Sequence, residues 1–179
     1  MQRTQTRMIA CLDVDYRDSV AYAAAVAFRD WPDAKGVDER IVKLEAVQPY
    51  EPGQFYRREL PCLLAVLRVL PPVRVVIIDG YVWLDGATRP GLGAHLYEAL
   101  GGQVAVIGVA KTRFRGADRA CEVMRGSSRR PIFITAAGMQ PEQAAENVRS
   151  MHGPYRIPSL LSRVDFLCRQ EPGDTESGG

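Results

Sequence analysis

The sequence predicts an α/β domain in which an antiparallel meander is followed by parallel strands that alternate with helices. Two apolar runs carry this prediction, at residues 74–79 and 104–111. Both are rich in Val and Ile, as strands buried on both faces are. A helical pattern lies between them, so the two strands should form a right-handed parallel strand–helix–strand unit. The chain has 179 residues, enough for one sizeable core.

The first part of the chain predicts the meander. Strands are expected at about residues 8–16, 21–30 and 38–48. Short turns separate them, including a segment at 31–36 that holds Pro, Asp and Gly together. The alanines of residues 21–30 suit a helix as well as a strand, so composition leaves that element open.

Helices complete the predicted domain. The apolar spacing favours helices at about residues 54–70, 91–101, 140–152 and 158–169, with one more strand at 131–135. Pro61 lies inside the first helix and should end or kink its first turns. We therefore expect a single domain over residues 1–170. Residues 171–179 contain no apolar side chain and are predicted to be disordered.

Composition narrows the class of protein. No apolar run is long enough to span a membrane and no secretory segment precedes Met8, so we expect a cytoplasmic protein without a membrane partner. The net charge of +2 does not by itself indicate a polyanionic partner. The cysteines form no CxxC pair or Cys/His cluster, which argues against a zinc site or a disulfide framework. We predict buried thiols at Cys11, Cys62, Cys121 and Cys168.

Acidic residues stand at positions suited to a metal site. Asp79 ends a buried strand and Gly80 follows it, at the kind of strand end where α/β proteins bind ligands. Asp13 lies in the acidic end of the first strand, and Glu59 and Asp165 lie on predicted helices. Carboxylates of this kind bind Mg²⁺, which can assist phosphodiester hydrolysis. The alternatives are a turn-forming role for Asp79 and solvated surface acids elsewhere, and spacing alone favours the latter.

Five motifs in order change that balance. They are Leu12-Asp13-Val14-Asp15-Tyr16; Pro49-Tyr50-Glu51-Pro52-Gly53 with Phe55 and Arg58-Glu59; Asp79-Gly80; Gly91-Leu92-Gly93-Ala94-His95-Leu96; and Ile107-Gly108-Val109-Ala110-Lys111. Together they resemble the endonuclease V family from about residue 9 to residue 169. The resemblance implies an RNase H-like fold: a central mixed sheet, with an antiparallel three-strand meander plus parallel strands, flanked by helices.

The resemblance also implies an activity and its cofactor. The family nicks DNA, and in some members RNA, near deaminated adenine. The family's catalytic metal-binding acids correspond to Asp13, Glu59 and Asp79, and Asp165 falls where a His or Asp would complete the site. We therefore expect a Mg²⁺-dependent endonuclease, with Mn²⁺ as an alternative. DNA is the expected partner, RNA or single strands are alternatives, and the protein is expected to be a monomer.

Substrate contacts follow from the same resemblance. Pro49, Tyr50 and Pro52 resemble the family's wedge, in which a rigid ring fills the space left by an extruded base, with Phe55 behind it. The alternative is that Tyr50 packs on the following helix. A further set is implied around the extruded base and the phosphate: Gly80, Gly108 and Lys111, the last also as a catalytic residue. An exposed strand-end lysine is the alternative for Lys111.

One loop departs from the family pattern. After Asp-Gly the family continues with His-Gly and a His-Pro-Arg run, whereas this chain continues with Tyr81-Val82-Trp83-Leu84-Asp85. This loop helps to form the base pocket, so the departure keeps two other functions open. One is a family member that binds nucleic acid without cutting, and the other is a nuclease with a different lesion, structure or RNA preference. The arginines between Arg113 and Arg130 either grip phosphates or belong to a solvated loop.

Overall fold

A seven-stranded mixed sheet flanked by helices forms the protein in the computed structural model, which describes residues 7–45, 49, 51–86 and 88–170. The strands run in the order β3-β2-β1-β4-β5-β7-β6. They are β1 (Met8–Arg17), β2 (Val20–Phe28), β3 (Asp38–Leu44), β4 (Val73–Asp79), β5 (Ala105–Ala110), β6 (Cys121–Val123) and β7 (Ile132–Ala137). The helices are α1 (Phe55–Arg68), α2 (Leu92–Ala99), α3 (Pro141–Ser150) and α4 (Ser159–Cys168).

The antiparallel meander is present as predicted. β1 pairs with β2, and β2 with β3, both antiparallel. The alanine-rich segment is therefore a strand, and all its residues from Ala21 to Phe28 are buried. Burial on both faces explains the choice, because small side chains there leave room for helices to pack closely above and below the sheet. Residues 46–48 of the predicted third strand lie outside the described residues.

The centre of the sheet is parallel. β1 pairs with β4 and β4 with β5 in parallel, and α2 connects the last two strands. Leu12 lies opposite Ile78, so Asp13 and Asp79 come at the same level of neighbouring strands. The strands β1, β4 and β5 thus approach one common edge with their carboxyl-terminal parts, which we call the carboxyl edge of the sheet.

The far side of the sheet differs from a purely parallel arrangement. β7 runs antiparallel to β5, and the short strand β6, which periodicity did not predict, pairs antiparallel with β7. No helix occurs in residues 111–131, so the chain turns back without the crossover that a parallel pair needs. A three-residue strand at a sheet border is too short to give a period-two pattern.

Helices cover both faces of the sheet. α1 packs with Cys62, Leu63 and Val66 against one face of β2, and α4 packs with Val164 and Leu167 against the other. α1 continues to Arg68 through Pro61, so the proline does not end it. Pro61 is on the exposed side, where water can reach the carbonyl that loses its helical partner.

The cysteines and the chain end complete the comparison with the prediction. Cys11, Cys62 and Cys168 are buried free thiols as predicted, whereas Cys121 is only half-buried because it lies on the border strand β6. Among the described helices, none is both long and apolar enough to cross a lipid bilayer. The predicted disordered tail, residues 171–179, lies outside the described residues.

Candidate metal and nucleic-acid site

Two aspartates lie side by side at the carboxyl edge of the sheet. Asp13 belongs to β1 and Asp79 is the last residue of β4, and the parallel pairing of these strands places them next to each other. With Lys111 and Asp165, they line one narrow cleft. The strand register, which follows from which residues are buried, is thus what brings these acids together.

The helices add two further carboxyl groups from opposite faces of the sheet. α1 contributes Glu59, whose side chain is only 7% exposed, and α4 contributes Asp165. The Asp13 and Asp165 carboxylates and the Cys168 thiol lie within 4.8 Å of one another. Asp13, Asp79 and Asp165 thus share one cleft, and Glu59 lies near enough to Asp13 and Asp79 for their charges to act on it, although the four acids are far apart in the chain.

Burial and like charge shape the acidity of this cluster. Burial raises the pKa of Asp13 to about 7, and the negative charges of Asp79 and Asp165 add to the effect, while the Val14 N–H, which donates to Asp13 Oδ1 at 2.9 Å, opposes it. Burial likewise raises the pKa of Glu59 to about 8, followed by the charges of Asp13 and Asp79. Both carboxyls hold protons at pH values at which ordinary acids are ionised.

The donor set fits a hard divalent cation. Carboxylate oxygens are the ligands of Mg²⁺ and Mn²⁺. A cation would stabilise the charged forms of Asp13 and Glu59, which burial and then like charge disfavour. Cys168 was predicted only as a buried thiol. Its S–H donates to the Asp165 carbonyl at 3.2 Å, and burial, with Asp13 and Asp165, raises its pKa far above the ordinary range. It is a neutral thiol, a poor ligand for a hard cation.

Lys111 places a positive charge beside Asp79, as Arg169 does beside Asp165, whose Oδ1 lies 3.1 Å from the Arg169 guanidinium. Lys111 follows β5, and its Nζ lies 3.5 Å from Asp79 Oδ2. Both side chains are about half exposed, so the pair contributes little to stability and is open to exchange for another partner. A lysine at this position can contact a phosphate that approaches Asp79.

A larger cavity, of about 300 Å³, adjoins the carboxyl cluster. Asp79 lies at the border between this cavity and the narrow cleft. Phe55 and Tyr56 contribute one side of the cavity from α1, and Gly80 and Tyr81 contribute another from the turn after β4. Its volume is at the lower end of the range of small-molecule pockets, about 300–1,000 Å³, which suits one planar ring system.

Backbone forms part of the cavity wall. Gly80 has a φ of +119°, which favours glycine, and a Cβ added there would meet nothing within 4 Å. Gly108, which was predicted beside an extruded base, is buried next to the Gly80 turn, and a Cβ there would lie 2.5 Å from the Gly80 carbonyl oxygen. Gly108 therefore allows β5 to support the Gly80 turn from behind. Its place beside a base stays a prediction.

The remaining predicted contacts are partly described. Pro49 and Pro52 are exposed, and Phe55 is 45% exposed and lines the cavity. Tyr50 lies outside the described residues. Arg89 and Phe114 also line the cavity, although no sequence motif indicated them. The departure from the family's sequence pattern after Gly80 could have indicated them, because a loop with a different sequence forms a different cavity wall.

The fold and the cluster define a class of protein: a mixed α/β domain with a carboxylate site at the carboxyl edge of its sheet, as in metal-dependent nucleases. A sequence model of the family described as endonuclease V matches residues 1–140. The endonuclease V of Streptomyces avermitilis is 31% identical over 191 residues, which cover 92% of this chain and 80% of the relative.

Solved structures agree with this assignment. The crystal structure of endonuclease V from Streptomyces avermitilis superposes with a TM-score of 0.72 at 29% identity, over 92% of this chain and 80% of the other. The Ciona intestinalis endonuclease V D234N protein, in complex with a 23mer DNA containing an inosine followed by a ribo-adenosine, gives 0.74 at 19% identity, over 93% and 86%. The latter identity bears on the fold alone.

The chain belongs to the endonuclease V family. It is accordingly a phosphodiester-cleaving hydrolase of a family that acts on deaminated bases in DNA repair. The RNase H-like fold that the motifs implied is confirmed by the structural neighbours.

Proposed function

We propose that this protein, as a single domain of residues 1–170, cuts a phosphodiester bond beside deoxyinosine in DNA with Mg²⁺, or Mn²⁺ in its place. Asp13, Glu59, Asp79 and Asp165 would hold the cation. The observation that carries the proposal is that Asp79 borders both the carboxyl cluster and a cavity suited to a single base. The inosine-containing DNA bound by the Ciona intestinalis relative is consistent with this substrate.

The cation would neutralise charge on the phosphate and lower the pKa of water for hydrolysis. Asp79, half exposed at the end of β4, is the acid nearest to an arriving strand. Asp13 and Glu59 are more buried and would hold the cation from the inner side of the site. Asp165 would hold it from the side of α4. Lys111 would leave Asp79 for a phosphate oxygen beside the bond to be cut.

The base would occupy the adjoining cavity, with Phe55 and Gly80 at its wall. In the sequence, the Pro49-Tyr50-Glu51-Pro52 motif lies two residues before α1, whose first residue, Phe55, already lines the cavity. A ring presented there would fill the gap that an extruded base leaves in the duplex. In this proposal Gly108 contributes indirectly, because it supports the Gly80 backbone.

The proposal covers partners and state as well. DNA is the main partner, with RNA or single strands as alternatives, and the protein acts as a monomer in the cytoplasm. Exposed arginines such as Arg115 and Arg129 supply charge for phosphates, whereas Arg113 is already paired with Glu122 at 2.5 Å. Phosphate contacts of this kind give affinity without sequence preference.

The test is cleavage of end-labelled oligonucleotides with and without one deoxyinosine, in Mg²⁺, Mn²⁺ or a chelator. We expect a nick close to the inosine on its 3′ side, only with metal. Asp79→Asn should lower the rate roughly 1,000-fold or more while the protein stays folded, since Asp79 is exposed. The control is Glu98→Gln, which changes an exposed acid near the carboxyl end of α2 and should keep wild-type activity.

A second function has one observation in its favour. The loop that begins with Tyr81 departs from the family pattern, which suits a protein that binds nucleic acid without cutting it. The carboxyl cluster argues against it, because binding alone favours removing negative charge near phosphates. Binding in chelator with no cleavage in either metal would establish this second function and overturn the first.

A further inference from the structure

Tyr81 fixes the part of the cavity wall that faces away from α1. Its hydroxyl donates to the Thr112 carbonyl at 2.8 Å and accepts the Phe114 N–H at 3.0 Å, and its side chain is buried. The segment after β5 is therefore held against the turn after β4. The Phe114 ring, 36% exposed, lies with its centre 6.0 Å from that of Tyr81 and borders the cavity.

Arg89 borders the same cavity from the loop that departs from the family pattern. Its backbone is fixed, because its N–H donates to Asp85 Oδ1 at 2.6 Å and its carbonyl accepts the Leu84 N–H at 2.9 Å. Its guanidinium lies 5.8 Å from the centre of the Phe114 ring. Within the described part of the chain, it forms no ion pair with a carboxylate. Its N–H donors are therefore available to a ligand.

Few other side chains of the cavity can address a base. The Tyr81 hydroxyl is engaged as donor and acceptor outside the cavity. The Tyr56 hydroxyl accepts from Arg57 Nε at 3.3 Å and keeps its one O–H as a neutral donor. Asp79 belongs to the carboxyl cluster and offers only acceptors. Arg89 is thus the cationic donor among the described residues that line the cavity.

The donor geometry of arginine selects one class of purine. Two guanidinium N–H groups match the O6 and N7 acceptors along one edge of a 6-oxopurine, whereas adenine presents an amino donor in place of O6. An aromatic ring beside the guanidinium adds a stacking surface that accepts any base. The two side chains together combine general affinity with discrimination against a 6-amino group.

We propose that Arg89 and Phe114 form a base-recognition wall, in which Phe114 stacks on the base and Arg89 donates to O6 and N7 of a 6-oxopurine. The ligand class is hypoxanthine, guanine or xanthine, with adenine rejected. The inference rests on the proposed function in that the base enters this cavity. It goes further, because it assigns selectivity to two side chains and predicts that unpaired guanine is accepted.

The test uses fluorescent single-stranded oligonucleotides that differ at one base: hypoxanthine, guanine, adenine or unsubstituted purine, which lacks O6. Binding to the full chain is measured in chelator, and cleavage in Mg²⁺ is followed in parallel. The wild-type protein should bind the two 6-oxopurine strands roughly ten-fold more tightly than the other two. Arg89→Ala should bring that ratio to about one, and Arg89→Lys should lose most of it, because lysine lacks the two-pronged geometry.

The Phe114→Ala variant should weaken binding of every strand by a similar factor, roughly ten-fold, since stacking is tolerant of the base. Arg115→Ala, which removes an exposed charge from the same segment, is the control for general charge and should leave the ratio unchanged. The proposal would be overturned if Arg89→Ala kept the preference for 6-oxopurine strands, or if Phe114→Ala bound every strand as tightly as the wild type.

The two proposals fail separately. Cleavage beside hypoxanthine and not beside adenine, with the same discrimination in Arg89→Ala, would leave the proposed function and discard the wall. Discrimination without cleavage in any metal would leave the wall and discard the proposed function.

Discussion

Burial disfavours the ionised forms of the Asp13 and Glu59 carboxyl groups. Their pKa values, about 7 and about 8, stand above the ordinary 3.8 and 4.5, first because of burial and then because of neighbouring acids. The folded protein therefore binds protons that the unfolded chain has already released between roughly pH 4 and pH 8. A cation that takes the place of those protons would link metal binding to stability.

The first prediction concerns pH and metal. Because both folded pKa values are raised, these groups contribute stability at low pH, and the contribution is lost as pH rises through about 7 and about 8. We expect the Tm of metal-free protein to fall between about pH 5 and pH 8. Added Mg²⁺ or Mn²⁺ should restore it, more at pH 8 than at pH 6, because the cation competes with protons. Thermal unfolding followed by circular dichroism measures both effects.

The control is the double variant Asp13→Asn with Glu59→Gln. It should show a flatter pH dependence without metal and no rise in Tm with metal, because neither side chain can titrate. A larger metal-induced rise at pH 6 than at pH 8 would contradict the link between protons and cation.

The second prediction concerns Gly108. A Cβ at this position would lie 2.5 Å from the Gly80 oxygen, 2.8 Å from Thr135 Oγ1 and 2.9 Å from the Val82 nitrogen. Two of these atoms are backbone, so the turn after Asp79 must shift. Gly108→Ala should cost about 1–3 kcal/mol of stability in urea unfolding and lower cleavage besides.

A variant of the same strand separates these two effects. Val106→Ala removes buried methyl groups from β5 and should cost a similar amount of stability without touching the turn. At a temperature where both variants are folded, only Gly108→Ala should lose cleavage. Equal losses would show that activity follows stability alone.

The segment after β5 depends on one hydroxyl group. Tyr81→Phe removes the bonds to the Thr112 carbonyl and the Phe114 N–H. The variant should lose about 1 kcal/mol of stability. The Phe114 amide should exchange with solvent much faster, because its acceptor is gone. Amide hydrogen exchange measures this directly, with the buried Ile107 amide as an internal reference; unchanged exchange at Phe114 would count against the anchoring role.

The strands and helices that the sequence predicted are those with a strong apolar pattern. The unit of β4, α2 and β5 follows from two continuous apolar runs with a helical pattern between them. The direction of β7 and the existence of β6 could not be predicted, because both depend on how the chain returns after Lys111. The close approach of Gly108 to the Gly80 oxygen could not be predicted either, because it depends on how β5 packs beside the turn after β4.

Arg156 connects the end of β5, the start of β7 and the entry to α4. Its guanidinium donates to the carbonyls of Lys111, Pro131 and Arg130, the last two at 2.7 Å and 3.1 Å. α4 carries Asp165, so this residue ties the fourth acid of the site to the sheet.

The fourth prediction follows from this link. Arg156→Lys keeps the charge but cannot reach three carbonyls in fixed geometry. We expect a loss of about 1–3 kcal/mol in urea unfolding and weaker Mn²⁺ binding by calorimetry. Arg149→Lys on α3, whose partner is the nearby Glu146, is the control and should change neither. Loss of stability with unchanged Mn²⁺ affinity would show that Asp165 is positioned without Arg156.

The assembled site could be predicted only through the order of its motifs. Its acids come from β1, α1, β4 and α4, and spacing along the chain cannot show that they meet. Physical patterns placed Asp79 at a strand end and Asp13 in the acidic end of a strand, although β1 continues past Asp13 to Arg17. The approach of Glu59 and Asp165 from opposite faces is a property of the packed layers. The position of Cys168 beside the carboxylates could not be predicted for the same reason. A buried cysteine in the core and one in the wall of a site have the same sequence pattern.

The alanines of β2 limit which substitutions this protein can tolerate. Ala24 packs in the core below α4, while Ala23 and Ala25 pack below α1, so their methyl groups set how near each helix stands to the sheet. A collection of random variants should therefore lose activity through added bulk at these positions almost as readily as through lost acids. These alanines do not touch a nucleotide, yet they would have to stay small. Larger side chains would change the distance across which Glu59 and Asp165 must face one ion.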